Sequence, residues 1–248
     1  KKHFSLDKVL FRVDSSIEIG GGHLSRCLEI AKLLNQRKIN VFFLCKEIEG
    51  NLNEWIKYEN FKLLIIRENY ISIEEEIKDI EKLLKPFSPF KYLIIDNYSI
   101  DKVWENAIKK IIPKIVVIDD LANRKHNCDI LIDQNYISNH ENRYKGLVPK
   151  ETIQLLSSKY AIIKDKIKNN KRLSKPNFKK PSKLFICFGA IDSKGYTLAT
   201  LRALKKISHK FELISVFTSN KNISLKDITY QGSLINNCKI YTDHNLLP

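Results

Sequence analysis

Three consecutive glycines, Gly20–Gly22, stand between a predicted strand and a predicted helix, and His23 follows them at once. A glycine-rich turn lets a backbone approach a ligand closely, and a helix N-terminus offers free N–H groups to a phosphate. A neutral imidazole is a suitable general base near pH 7, and the helix N-terminus is expected to lower its pKa and keep it neutral. Arg26, one helical turn later, would hold a phosphate or pair with an acid such as Asp14. The alternatives are a turn that needs positive φ, a capping histidine and a surface ion pair.

Further polar residues follow the other predicted strands. Because ligands of open parallel sheets bind beyond the carboxyl ends of the strands, these residues are expected to converge on one edge. The candidates for hydrogen bonds to a substrate or to water, or for close backbone approach to a ligand, are Asp14, Gly21, Gly22, Asp96, Tyr98, Asn135, Gly189 and Asp192.

A metal site is the alternative interpretation of the acids near the ends of strands, which are Asp14, Asp96, Asp119 and Asp120. Acids at such positions also cap helices and hold loops. No ligand spacing among them demands a metal, so the sequence predicts neither a metal nor a cofactor.

Elements of alternating type must position these residues. Apolar runs of four or five residues without alternation are typical of parallel strands buried on both faces, and helical periodicity falls between them. Strand–helix alternation predicts an α/β fold of the doubly wound kind. In the first part of the chain, the predicted strands are Val9–Val13, Asn40–Cys45, Lys62–Ile66, Tyr92–Asp96, Ile115–Asp119 and Asp129–Ile132. The predicted helices of the same part are Gly22–Gln36, Ile73–Leu84 and Asp101–Ile111.

A boundary is predicted inside the second half of the chain. Residues 135–158 read as irregular, and a lysine-rich stretch, 166–182, reads as a basic linker. The pattern then restarts with strands at Lys183–Phe188, Glu212–Phe217 and Lys239–Tyr241, a helix at Ser193–Ile207, and a helix or loop before the last strand. The predicted domains are therefore residues 8–165 and residues 183–248, the second one incomplete, because an open α/β domain usually needs about 100 residues.

Composition narrows the class of protein. The formal net charge of +15 has two interpretations: a partner that carries phosphates, or surface lysines that have no role in binding. The lysines are spread along the chain, so we expect neither a nucleic-acid partner nor a membrane partner. Five scattered cysteines and a polar start without an apolar leader favour a cytoplasmic protein without disulfides.

The segment "FRVDSSIEIGGGHLSRCLEIA" resembles the start of the UDP-2,4-diacetamido-2,4,6-trideoxy-β-L-altropyranose hydrolases of pseudaminic acid biosynthesis, FRxDxSxxIGxGHxxRCLxLA. Four later segments match that family in the same order: "YLIIDNYSID", "VVIDDLANRKHNCDILIDQN", "YKGLVPKETIQLLSSKYAIIKDKI" and "FICFGAIDSKGYTLATLRAL". The resemblance covers residues 9–245.

The resemblance implies two Rossmann-like domains in a GT-B-type arrangement and metal-independent hydrolysis of a UDP-sugar. It places the family's catalytic histidine on His23, which activates or orients the attacking water. The chain departs from the family at Ser157–Ser158, Lys164 and Ala190, and it ends before a segment that binds uridine in the family.

Two other functions remain open: a GT-B glycosyltransferase that uses a UDP-sugar, and a non-catalytic nucleotide-binding protein. The expected partner is in either case a small nucleotide-linked ligand. The sequence leaves the oligomeric state open, with a monomer as the working expectation.

Overall fold

A computed structural model describes residues 7–163, 182–189 and 191–242. The described residues fall into two compact units. The first comprises residues 7–15 and 23–163, and the second comprises residues 16–22 and 182–242. Most of the predicted basic linker, residues 166–181, lies outside the described residues, so the predicted domain boundaries stay a prediction.

A seven-stranded parallel sheet forms the centre of the first unit, in the order β3-β2-β1-β4-β5-β6-β7. The first five strands in this order are arranged as in a dinucleotide-binding sheet, whose direction of growth reverses between β1 and β4. The strands are β1 (Lys8–Val13), β2 (Asn40–Lys46), β3 (Lys62–Ile66), β4 (Tyr92–Asp96), β5 (Lys114–Ile118), β6 (Ile130–Asp133) and β7 (Ile153–Leu156).

Helices and loops bury both faces of this sheet, which explains why its strands read as unbroken apolar runs. The helices are α1 (Gly22–Gln36), α2 (Asn53–Tyr58), α3 (Ile73–Leu84) and α4 (Lys102–Ile108). One core contains Leu10 and Leu93 with side chains of α3 and α4, and the other contains Phe11 and Ile94 with side chains of α1. The predicted α/β class is confirmed.

The second unit contains a three-stranded parallel sheet in the order β10-β9-β8. Its strands are β8 (Lys183–Cys187), β9 (Leu213–Phe217) and β10 (Cys238–Tyr241). Two helices, α5 (Tyr196–Leu204) and α6 (Leu225–Ser233), cover one face around Ile186, Ile214 and Val216.

Two elements of the first unit, α2 and β7, were not predicted from the sequence. Helix α2 spans only six residues, too few for helical periodicity to be visible. Strand β7 lies in the stretch read as irregular, and that reading was wrong. This strand occupies the edge of the sheet, so Ile153 and Gln154 are exposed and no buried apolar run marks it. Within the described ranges, no helix is long and apolar enough to cross a membrane.

Candidate active site

The glycine-rich loop begins with a tight turn that Ser16 and Gly20 close. The Gly20 amide donates to the Ser16 carbonyl over 2.9 Å, and Gly20 has φ +78°. The Ser16 hydroxyl accepts from the amides of Glu18 and Ile19 at 3.2 and 3.0 Å. Gly20 is therefore required by the turn itself, whereas Gly22 opens α1 with space around the position of a Cβ atom.

His23 lies in the first turn of α1 and is buried, with 8% of its surface exposed. Its Nδ1 lies 2.8 Å from Oδ1 of Asp96, the last residue of β4. A carboxylate only accepts hydrogen bonds, so Nδ1 carries the proton that it donates to Asp96. The neutral ring then has its lone pair on Nε2, the atom that a general base uses.

The pKa of His23 is raised, although burial alone would lower it and Arg26 also lowers it. The hydrogen bond and the charge of Asp96 outweigh both effects. The expectation of a lowered pKa for His23 is therefore wrong in direction.

Asp96 is fully buried and is held by Arg26 as well as by His23. The Arg26 Nε and Nη2 atoms donate to the two carboxylate oxygens over 2.5 and 2.6 Å. Burial would raise the pKa of Asp96, but Arg26 and His23 together lower it. The structure thus pairs Arg26 with Asp96 and not with Asp14, the acid suggested from sequence.

Tyr98 completes the surroundings of His23. Its ring meets the imidazole edge to face, with centroids 4.4 Å apart. Its hydroxyl donates to Oδ1 of Asp120 over 2.6 Å, and Oδ2 of Asp120 lies 3.3 Å from Nη1 of Arg26. From the sequence, Asp120 was a candidate metal ligand or an acid that holds a loop. Its position two residues after β5, the neighbour of β4, is the signal that places it beside Tyr98.

Asp14 belongs to an adjoining network and is only 5% exposed. Its Oδ1 lies 2.7 Å from Nη1 of Arg12 and accepts from the Lys46 amide, and its Oδ2 accepts from the Asn97 side chain. Burial would raise the pKa of Asp14, but Arg12 and Lys46 lower it. Asp14 therefore holds the segment after β4, which carries Tyr98.

Each of the four acids considered as metal ligands contacts a guanidinium. Asp14 pairs with Arg12, Asp96 and Asp120 contact Arg26, and Asp119 lies 2.7 Å from Nη1 of Arg124. Among the residues that the structure describes, no group of three His, Cys, Asp or Glu side chains could hold a metal ion.

The remaining sequence candidates take part in local backbone structure. Asn135 is exposed after β6, and its amide donates to the Asp133 carboxylate. In the second unit, Gly189 has φ +88° at the end of β8. Both oxygens of Asp192 accept from the amides of Tyr196 and Thr197, so its carboxylate caps the start of α5. Ala190 lies outside the described residues.

Two solved structures are similar to this chain in fold. A glycosyltransferase from Rickettsia africae matches with a TM-score of 0.55 at 14% identity, covering 98% of this chain and 70% of that one. Anabaena HepE, solved in complex with UDP, matches with a TM-score of 0.53 at 12% identity, covering 96% and 70%. These likenesses establish the fold, and the predicted GT-B class is confirmed.

A curated relative defines the family. The UDP-2,4-diacetamido-2,4,6-trideoxy-β-L-altropyranose hydrolase of Campylobacter jejuni is 34% identical over 238 residues, which are 96% of this chain and 78% of the relative. The chain belongs to the family of this hydrolase. No protein-family profile matches the chain.

Proposed function

We propose that the chain hydrolyses UDP-2,4-diacetamido-2,4,6-trideoxy-β-L-altropyranose to UDP and the free sugar without a metal, as a step of pseudaminic acid biosynthesis. The family relationship supports the substrate. The observation that carries the chemistry is the 2.8 Å contact between His23 Nδ1 and Asp96, because it leaves Nε2 as the basic nitrogen. The pair lies where β1 and β4 adjoin, the point at which sheets of this kind bind ligands.

In the proposed reaction, Nε2 of His23 takes a proton from water as the water oxygen attacks the anomeric carbon. The bond between that carbon and the diphosphate oxygen breaks, and its electron pair leaves with UDP. The imidazolium that forms is stabilised by the charge of Asp96 and then returns its proton to solvent. In total, one water and one UDP-sugar give one UDP, one free sugar and one proton.

A diphosphate is a good leaving group, so the reaction does not depend on a strong general acid. Gly21 and Gly22 stand at the start of α1, and we assign them to close backbone approach by the diphosphate. We assign sugar or nucleotide contacts to Tyr98, Asn135 and Gly189.

Four other candidates take supporting roles in this proposal. Both oxygens of Asp96 are occupied, so we assign it to positioning His23. Arg26 donates from Nε and both terminal nitrogens, so we assign it to positioning Asp96 and Asp120. Asp14 and Asp192, whose carboxylates hold neighbouring backbone, take the same kind of role.

The test measures UDP and free sugar released by the wild-type chain, His23→Asn and His209→Asn, with a chelator present. His209 is an exposed histidine of the second unit and serves as the matched control. We expect turnover in the wild type and in His209→Asn and a loss of about 10²–10⁴ in His23→Asn, the size of a general-base contribution. Equal rates in wild type and His23→Asn would refute the role of His23. UDP release that requires a sugar acceptor would indicate a glycosyltransferase instead.

A further inference from the structure

Asp120 is a fixed hydrogen-bond acceptor next to Tyr98. Its Oδ1 accepts the Tyr98 hydroxyl over 2.6 Å, and its Oδ2 faces Nη1 of Arg26 at 3.3 Å. Arg143 donates to its backbone carbonyl, which ties down the main chain at the same residue. The side chain of Asp120 is 18% exposed, so protein atoms rather than water set its orientation.

This arrangement decides which way the Tyr98 hydroxyl points. A carboxylate beside a guanidinium has no proton to give, so the hydroxyl must donate to it. A phenol has one proton, and that proton is then committed to Asp120. Burial and Asp120 also raise the pKa of Tyr98, so the group stays a neutral phenol. Its oxygen keeps lone pairs, and the residue is 42% exposed, so a ligand can reach it.

We propose that Asp120 is a positioning residue that makes Tyr98 a hydrogen-bond acceptor toward the reactants, selecting a donor group and disfavouring a phosphate oxygen. The inference rests on the proposed function and extends it to the polarity of sugar recognition. A diacetamido sugar offers amide N–H and hydroxyl donors, and the attacking water is a donor as well. The charged oxygens of the diphosphate only accept, so they would meet the Tyr98 oxygen with no proton between them.

The substitution Asp120→Asn reverses this polarity without changing shape. An asparagine has one oxygen and one NH₂ group, and Arg26 offers only donors. The amide oxygen therefore turns toward Arg26, and the NH₂ group turns toward Tyr98. Tyr98 then receives a hydrogen bond and points its own proton outward, where the donor of the reactants lies.

The experiment compares four chains: wild type, Asp120→Asn, Tyr98→Phe and the double variant. Turnover of the UDP-sugar gives kcat and KM, and calorimetry with UDP alone gives the Kd of the nucleotide. We expect kcat/KM to fall about tenfold in each single variant, the effect of one neutral hydrogen bond. We expect the double variant to match Tyr98→Phe, because Asp120 acts through the Tyr98 hydroxyl. The Kd of UDP should stay within about twofold.

The kinetic split identifies the donor. A loss expressed in KM indicates an N–H or hydroxyl of the sugar, and a loss expressed in kcat indicates the attacking water. Tyr58→Phe is the matched control, since Tyr58 is an exposed tyrosine at the end of α2, which precedes the edge strand β3, whereas Tyr98 follows the central strand β4.

Three results would overturn the inference: Asp120→Asn with wild-type kcat/KM, a further loss when Asp120→Asn is added to Tyr98→Phe, or a UDP affinity that weakens as much as kcat/KM. Because Tyr98 is partly exposed, Tyr98→Phe is expected to fold, so the test does not depend on Asp120→Asn alone. A wild-type chain that releases no UDP would refute the proposed function first, and the two failures are thereby distinguished.

Discussion

Replacing Asp96 with asparagine removes one negative charge from the centre of the candidate site. Asp96 is fully buried and accepts from His23 Nδ1 at 2.8 Å and from Arg26 at 2.5 and 2.6 Å. Asparagine has the same shape, but one of its two acceptor oxygens becomes a donor. Arg26 donates to both oxygens and therefore faces an NH₂ group in either orientation of the amide, and His23 faces it as well when the group replaces Oδ1.

The cost in stability follows from the loss of a buried partner. Removing one side of a buried ion pair costs about 3–5 kcal/mol. Asp120 remains beside Arg26, so we expect the lower end, about 3 kcal/mol. For a chain of this size that corresponds to a drop of about 6–12 °C in Tm.

The effect on catalysis has two parts. Without Asp96, the Nδ1 proton of His23 is no longer held in place, and kcat is expected to fall about 10²–10⁴. The two remaining influences on His23, burial and Arg26, both lower its pKa. The base is active when neutral, so activity is lost as pH falls through the pKa of His23. The acid limb of the Asp96→Asn profile must therefore move to lower pH than in the wild type.

The assay is the pH dependence of residual kcat/KM, measured well below the Tm of the variant. Glu29→Gln serves as a control for the loss of a carboxylate, since Glu29 lies on the same helix as His23 and forms an ion pair with Lys32 rather than with a residue of the site. An acid limb that stays in place, or moves to higher pH, would refute the assignment of the raised pKa to Asp96.

Three further predictions concern stability. Gly20→Ala is expected to destabilise the chain by about 1 kcal/mol, because φ +78° is unfavourable for alanine, and thermal unfolding would show a smaller change if the turn tolerated it. The Arg124 guanidinium donates to Asp119 at 2.7 Å and to the carbonyls of Ile100 and Asn97 at 2.8 and 3.1 Å, and a lysine cannot make all three hydrogen bonds. We expect Arg124→Lys to lower the free energy of unfolding in urea by about 1–3 kcal/mol. An unchanged midpoint would show that these loops do not need the guanidinium. The raised pKa of His23 stabilises the fold most below the unfolded value of about 6.5, so the free energy of unfolding should fall as pH rises through the folded pKa. His23→Asn should lack this slope in denaturant titrations across neutral pH, and an identical slope in both chains would contradict the argument.

Periodicity alone locates most of the first unit. The bounds of α1, α3, β3 and β4 agree with the prediction to the residue, because each has a complete apolar face or run. Helix α4 is shorter at both ends than predicted, since Asp101 accepts from the amides of Val103 and Trp104 and is the cap rather than the first helical residue.

The contacts within the site depend on geometry that a linear pattern does not contain. Arg26 was predicted to stand one helical turn after His23, and both side chains contact the same carboxylate. The acid that they contact is set by the order of the strands. Asp96 ends β4, and β4 lies next to β1 on the side away from β2. The role of Asp120 likewise depends on the neighbouring place of β5 in the sheet, which chain order alone does not specify.

The register of β1 and β4 also has a consequence for the order in which the protein is assembled. Val13 pairs with Asp96 in the sheet, so the His23–Asp96 contact spans 73 residues of chain. Strands β1, β2 and β3 follow one another along the chain and are neighbours in the sheet, whereas β4 pairs with β1 across a segment that contains both β2 and β3. Pairing of such distant segments is slow compared with helix formation. The contact between His23 and Asp96 therefore forms only when β4 has paired with β1. After refolding, the recovery of activity should lag behind the recovery of helix content.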